Sequence, residues 1–417
     1  MSENTKRSYI PHLEIPEPSL RPGDNPDFSH IEVPEVEALN RPDPLCHFSE
    51  TKDHSKGIIR TMNFDGTAAG EWQSDITTQQ KLSGLKTMLL ARAMDDRMFK
   101  MQRQNKMSFY MKCLGEEAIT SAQALAARTS DMIFPTYRCL PALLQRGQDM
   151  KTLMCQCLSN SGDTMTKGRQ MPVFYSTKEY GFFTISGNLG TQTIQAVGWA
   201  MANSYKGSDD IAIAYTGEGA TAESDFYHTL NFASTYRTPT IINVVNNQWA
   251  ISTFQGMASG QSFTFASRAR GHGLAALRVD GNDFLAVYAV TQWAAERARN
   301  GGGATVIEHF THRGEGHSSS DDTSAYRPDD EKEAWPFGDC IDRLKVHLIA
   351  IGDWDEKRHE KLIQETFEEV KQSYAEAEAL GYATQGGTGG ISPESMFDDV
   401  FEHVPQHLVK QRQKMGY

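Results

Sequence analysis

Glu218 is a carboxylate set inside Thr216-Gly217-Glu218-Gly219-Ala220, at the point where the apolar run 211–215 gives way to an amphipathic stretch. Glycines at such a strand-to-helix turn let backbone N–H groups approach a phosphate, and the start of a helix favours its negative charge. A carboxylate in that position repels an anion unless a cation stands between them, so the pattern calls for a metal-bound diphosphate. The next apolar run, 241–245, ends in Asn246-Asn247, and a parallel connection brings both run ends to one edge of a sheet. Magnesium prefers an octahedron of oxygens, with one or two protein side chains and the rest from phosphates and water. Glu218, the Asn247 amide oxygen and the Trp249 backbone carbonyl are the expected protein ligands, with Gly217, Gly219 and Ala220 against the phosphates.

The same letters satisfy a dinucleotide pattern, because Gly217-Glu218-Gly219-Ala220-Thr221-Ala222 reads Gly-x-Gly-x-x-Ala after a strand. That fingerprint needs an acidic residue about 20 positions on, to hold a ribose hydroxyl. Asn246-Asn247 stands there instead, which favours the metal-bound diphosphate. A dinucleotide oxidoreductase remains the rival of a different kind.

Positioning these residues requires alternating strands and helices. The spacing predicts a helix from Asp75 or Thr77 to about Gln104, a second helix after Gly115, and a short strand 132–134 that ends at Pro135-Thr136-Tyr137-Arg138. Helix 189–206, strand 211–215, helix 222–236 and strand 240–245 follow, then strand 275–279, helix 283–299 and strand 304–310. Apolar strands separated by amphipathic helices make an α/β fold, a mostly parallel sheet with helices on both faces. Ligands sit at the carboxyl ends of such strands. Around this domain, 71–340, the chain divides into a Pro-rich acidic arm, 1–70, and a C-terminal helical segment, 341–417, with a Gly387–Gly390 linker. The arm is expected to wrap a neighbour or stay mobile. The polar loop 311–336 is long enough to carry function.

With 417 residues, 39% hydrophobic, the chain can bury a sizeable core. A net charge of -12 argues against nucleic acid, which is held by clustered Lys and Arg. No apolar run is long enough to span a bilayer and no signal-peptide core is evident, so a cytoplasmic protein is expected. The six cysteines form no Cys-x-x-Cys pair and are expected as buried thiols, including Cys155 and Cys157 in an apolar helical run. His309, His312 and His317 fit no compact zinc motif.

The Gly-Glu-Gly and Asn-Asn segments, continued by Trp249-Ala250-Ile251-Ser252-Thr253, resemble the thiamine-diphosphate signature. Three further runs are 167–172 (Lys-Gly-Arg-Gln-Met-Pro), 278–283 (Arg-Val-Asp-Gly-Asn-Asp) and 317–322 (His-Ser-Ser-Ser-Asp-Asp). With these, residues 75–415 resemble the alpha subunit of branched-chain 2-oxo acid dehydrogenases. The resemblance implies the thiamine-diphosphate-binding fold, with Tyr137, Arg138 and Gly187 contacting the cofactor and Leu189 wedging it into a bent shape. It implies His317 as the active-site histidine, touching the diphosphate or donating a proton. Ser186, Asn188, Thr191 and Gln192 match a loop that holds potassium in family members, and could equally form a helix N-cap. Ser318 matches a position phosphorylated in animal relatives. Val245 stands where some relatives place an Arg on the phosphates, which shifts the expected load to Arg138 and His317.

By the same resemblance the reaction is oxidative decarboxylation of a branched-chain 2-oxo acid, with the acyl group passed to a lipoyl group on a separate acyltransferase. The activating glutamate belongs to a beta subunit in an alpha2-beta2 heterotetramer. Rival readings are a pyruvate or acetoin dehydrogenase alpha subunit and a non-catalytic scaffold.

Overall fold

Five apolar runs become the strands of one parallel sheet, and the helices between them cover both of its faces. The computed structural model describes residues 15–259, 263–381, 393–398 and 400–417. Helix α1 (Thr78–Arg103) opens with a reciprocal cap, Gln80 N–H to the Thr77 hydroxyl and Thr77 N–H to the Gln80 amide oxygen. α2 (Glu117–Ala126), β1 (Met132–Phe134), α3 (Leu140–Gln145) and α4 (Met150–Leu158) follow. Then come α5 (Thr191–Tyr205), β2 (Ala212–Gly217), α6 (Ser224–Thr235) and β3 (Thr240–Asn246). After a small hairpin, β4 (Trp249–Ala250) with β5 (Thr253–Phe254), two short turns form α7 (Gly256–Ser259) and α8 (Ser267–Arg270). β6 (Ala275–Asp280), α9 (Phe284–Arg299) and β7 (Thr305–Phe310) complete the alternation, and α10 (Cys340–Ala350), α11 (Glu356–Glu378) and α12 (Gln406–Lys414) end it.

The strand order is β1-β2-β3-β7-β6, every pair parallel. Each position of β3 is buried, yet alternate residues go to different cores. Ile241 and Val245 pack toward α9, whereas Ile242 and Val244 pack with Phe226 and Leu230 of α6. That division is what a sheet covered on both faces requires. Among the described residues no helix is long and apolar enough to cross a membrane.

The described part of the arm is anchored at several points along its own domain. Prolines lack the N–H but keep the carbonyl, and those carbonyls take up buried donors: Trp293 Nε1 to Pro42 at 2.8 Å and Arg297 Nη1 to Pro44 at 2.7 Å. Ile59 extends the edge of the sheet through a parallel bridge to Val279. The run 278–283 is an architectural joint. Asp280 pairs with Arg343 at 2.6 Å, and Asp283 caps α9 through the Ala286 N–H while accepting the Thr61 N–H at 2.8 Å. Residues 387–390 lie outside the described residues.

Candidate active site

The carboxyl ends of β1, β2 and β3 and the loop after β7 surround a cavity of about 520 Å3, within the range of small-molecule sites. In-register pairing of Gly217 with Val245 sets Glu218 beside Asn247, whose N–H reaches Glu218 Oε2 at 3.4 Å. Glu218 is 1% exposed, and its Oε1 has no partner among the described residues. Burial, aided by the charge of Glu116, pushes its carboxyl up to about 7. An unpaired buried carboxylate is costly, and a cation at the orphaned oxygen removes that cost. The Asn247 amide oxygen accepts the Trp249 N–H at 3.2 Å, and the Trp249 carbonyl accepts from Arg313 at 2.8 Å. Each carbonyl oxygen keeps a second lone pair. An all-oxygen donor set of this kind suits a hard divalent cation.

The β4-β5 hairpin aims the Trp249 carbonyl and holds two non-glycine residues in the left-handed region, Gln248 at φ 77 and Ile251 at φ 56. A β-branched residue there stores about 1–3 kcal/mol. Arg313 holds the strained hairpin, donating from Nη1 to Trp249 O and from Nη2 to Ile251 O at 2.9 Å. Burial, with Arg138 adding to it, brings the Arg313 guanidinium down to about 10. Arg313 also donates from Nε to the Glu315 carbonyl and from Nη2 to the Tyr326 hydroxyl.

Arg138 follows β1 and is buried, and each of its guanidinium nitrogens lies near an acceptor of the protein, with one N–H of Nη1 still to give. Nη1 donates to the Lys112 carbonyl, Nη2 to the His317 carbonyl at 2.8 Å, and Nε lies 3.6 Å from Glu116 Oε1. His317 Nδ1 faces Arg138 Nη2 at 3.4 Å, and the His317 backbone N–H donates to Asp321 Oδ2 at 2.6 Å. Burial, then Arg138 and Arg313, push the His317 imidazole down to about 3. Tyr137 packs edge-on against that ring with centroids 5.7 Å apart. Ser319 ties the loop to Tyr110 by two bonds, N–H to carbonyl at 2.8 Å and hydroxyl from the Tyr110 N–H at 3.1 Å.

Leu189 is 44% exposed on the cavity wall, so it is no core leucine; Gly187 and Ala220 line the same wall. The two glycines flanking Glu218 serve different ends. A Cβ on Gly219 would stand 2.3 Å from Ala250 Cβ, whereas one on Gly217 would meet nothing within 4 Å. In the loop before α5, the Ser186 and Thr191 hydroxyls both donate to the Asn188 carbonyl. The N-cap of α5 is Gly190, with no side-chain cap, so these residues are not a helix cap. Gln192 donates to the Tyr215 carbonyl at 2.8 Å, and its Oε1 is buried without a partner among the described residues. Cys155 and Cys157 are free thiols; the residue between them matters more, since Gln156 bonds the Met171 carbonyl and the Val173 N–H and so braces the segment that puts Met171 and Phe174 on the cavity wall. His309 bonds Asn243 and His312 bonds Glu331, and no metal-binding cluster of His, Cys and acids occurs among the described residues.

Sequence reasoning missed Glu116 and Arg313. Both bond across the fold to partners far away in the chain, Glu116 to Asn247 and Arg313 to Trp249. An acidic pair at a helix start reads as ordinary dipole compensation, so Gly115-Glu116-Glu117 carried no distinguishing signal.

A family model described as Dehydrogenase E1 component matches residues 85–385, and one described as 2-oxoisovalerate dehydrogenase E1 alpha subunit N terminal matches residues 10–47. The chain is 50% identical over 404 residues to a 2-oxoisovalerate dehydrogenase subunit alpha of Pseudomonas aeruginosa, covering 97% of this chain and 98% of that one. It is 36% identical over 361 residues to the mitochondrial subunit alpha of Homo sapiens, covering 86% and 79%, and 37% identical over 361 residues to that of Caenorhabditis elegans, covering 86% and 81%. With a family model over most of its length and a half-identical relative of the same extent, this chain belongs to the dehydrogenase E1 component family, on the alpha-subunit side.

Proposed function

We propose that this chain is the alpha subunit of a thiamine-diphosphate-dependent 2-oxo acid dehydrogenase acting on branched-chain substrates of the 3-methyl-2-oxobutanoate type. The observation that carries this reading is the orphaned Glu218 Oε1, buried beside Asn247 where two neighbouring strands end in a cavity of cofactor size. Full-length likeness to 2-oxoisovalerate dehydrogenase alpha subunits supports the substrate class.

Glu218, Asn247 and Trp249 would hold magnesium, and Tyr137, Arg138, Gly217, Gly219, Ala220 and His317 would receive the diphosphate. The bound cofactor supplies a carbon nucleophile and an electron sink for loss of carbon dioxide. His317, kept neutral and with Nδ1 turned to Arg138, presents Nε2 as its N–H donor. Arg138 fixes that ring and its loop at once. Met111, Phe174 and Leu189 give the cavity an apolar wall that limits water. Ser186, Asn188, Thr191 and Gln192 form a candidate potassium loop, supported by the buried Gln192 Oε1, which has no partner among the described residues.

Under this reading the activating glutamate comes from a beta subunit, in a cytoplasmic alpha2-beta2 assembly that delivers the acyl group to a lipoyl-bearing acyltransferase. Met171, Leu189, Ile251 and Met257 line the cavity yet are 44–54% exposed, an apolar rim that a second subunit would cover. Rates on 3-methyl-2-oxobutanoate and pyruvate, measured for the chain with and without its beta subunit, test the proposal. Turnover should need both subunits and favour the branched substrate. Full activity of the chain alone would overturn the shared site, and preference for pyruvate would overturn the substrate assignment.

A further inference from the structure

Glu116 is a buried carboxylate that none of the roles above uses. It stands at the start of α2 but makes no capping bond with its side chain. Its neighbour Glu117 serves the local fold, accepting from Arg92 Nε and the Gly115 N–H, each at 2.8 Å. Glu116 turns the other way, toward the cavity, and its Oε1 accepts from Asn247 Nδ2 at 2.6 Å. Burial pushes its carboxyl up, while Arg138, the Asn247 amide and Arg313 oppose the shift.

An ionised carboxylate accepts hydrogen bonds and donates none. With Glu116 ionised beside Arg138, the end of the Asn247 carboxamide that meets it is the NH2, as the structure has it. Its oxygen is then turned away, to the side of the Trp249 N–H. A carboxamide has nearly the same shape in its two orientations, but one offers a metal an oxygen and the other offers it N–H groups.

We propose that Glu116 is a positioning residue that locks the Asn247 amide with its oxygen toward the cation held by Glu218. This rests on the metal site put forward above. Through one oxygen Glu116 also meets Arg138, so the proposal must be separated from an effect on that arginine.

A double-mutant cycle separates them. Manganese(II) serves as the probe, with the free ion measured by electron paramagnetic resonance in the presence of thiamine diphosphate, on the full-length chain purified with its partner subunit. Glu116→Gln keeps the size but frees the amide to turn, and should weaken manganese binding about 10- to 100-fold. In an Asn247→Ala background the same change should cost no more than about twofold, because nothing is left to orient. Glu116→Asp still only accepts, and should retain more affinity than Glu116→Gln; should the glutamine variant not fold, the aspartate variant runs the same cycle. Unchanged affinity in Glu116→Gln, a full further loss in the Asn247→Ala background, or an aspartate variant weaker than the glutamine one overturns the proposal. If the unaltered protein binds no manganese with the diphosphate, the metal site itself is wrong and this inference falls with it.

Discussion

The backbone N–H of Asn247 lies 3.4 Å from Glu218 Oε2, and the other oxygen of that carboxylate has no partner among the described residues. Two adjacent strand ends thus hold a half-satisfied carboxylate, buried at the wall of the cavity. The arrangement destabilises the metal-free protein, and that cost is measurable.

Burial raises the Glu218 carboxyl from its ordinary 4.5 to about 7. For an acid raised on folding, stability falls as pH climbs from 4.5 through 7, because the unfolded chain releases the proton more readily. A displacement from 4.5 to about 7 corresponds to roughly 3 kcal/mol at most. Glu218→Gln should therefore stabilise the metal-free chain at pH 8 by up to that amount and change little at pH 5. Urea unfolding at the two pH values reads the difference; equal effects at both would show that the carboxylate is not held this way.

Gly219→Ala and Gly217→Ala should fail in different ways. The first drives a methyl group into Ala250, and overpacking of that kind costs about 1–3 kcal/mol. The second adds a methyl group facing open space on the cavity wall. Thermal unfolding should drop for Gly219→Ala only, whereas Gly217→Ala should fold normally and bind thiamine diphosphate more weakly. A Gly217→Ala protein with unaltered cofactor affinity would remove Gly217 from the site.

His317 should stay neutral across the working pH range. Its imidazole is pushed down to about 3 by burial and by the two nearby guanidinium groups, so the pH profile of activity should carry no inflection from it near the ordinary value of 6.5. Arg138→Gln removes one positive neighbour and must raise the midpoint. Histidine ring signals in NMR, followed between pH 5 and 8, would show the unaltered His317 not titrating; a midpoint near 6.5 in the unaltered protein would contradict the geometry.

The strands were readable because burial on both faces makes them continuous apolar runs. The runs 132–134, 211–215, 240–245, 275–279 and 304–310 became β1, β2, β3, β6 and β7, with ends displaced by a residue or two. β2 and β3 run on to Gly217 and Asn246 because hydrogen bonding continues after the apolar side chains stop. The β4-β5 hairpin was not readable, since Gln248 at its base and Ile251 in its turn take backbone angles their side chains disfavour. The arm shows a different limit. Its prolines exclude helix, but nothing in their spacing says that Pro42 and Pro44 would meet Trp293 and Arg297. Within the site, Glu218 stood out because a carboxylate in a phosphate loop conflicts with its surroundings. Glu116 and Arg313 conflict with nothing locally, so only the folded chain exposes them.

Trp249 reports directly on the proposed metal site, being 5% exposed and next to Asn247. Thiamine diphosphate titrated against the chain's tryptophan fluorescence, with and without magnesium, tests the central claim. Saturable quenching that needs magnesium in the unaltered protein, and is lost in a folded Glu218→Ala variant, is the predicted result. Quenching of the same strength and the same magnesium dependence in Glu218→Ala would contradict it.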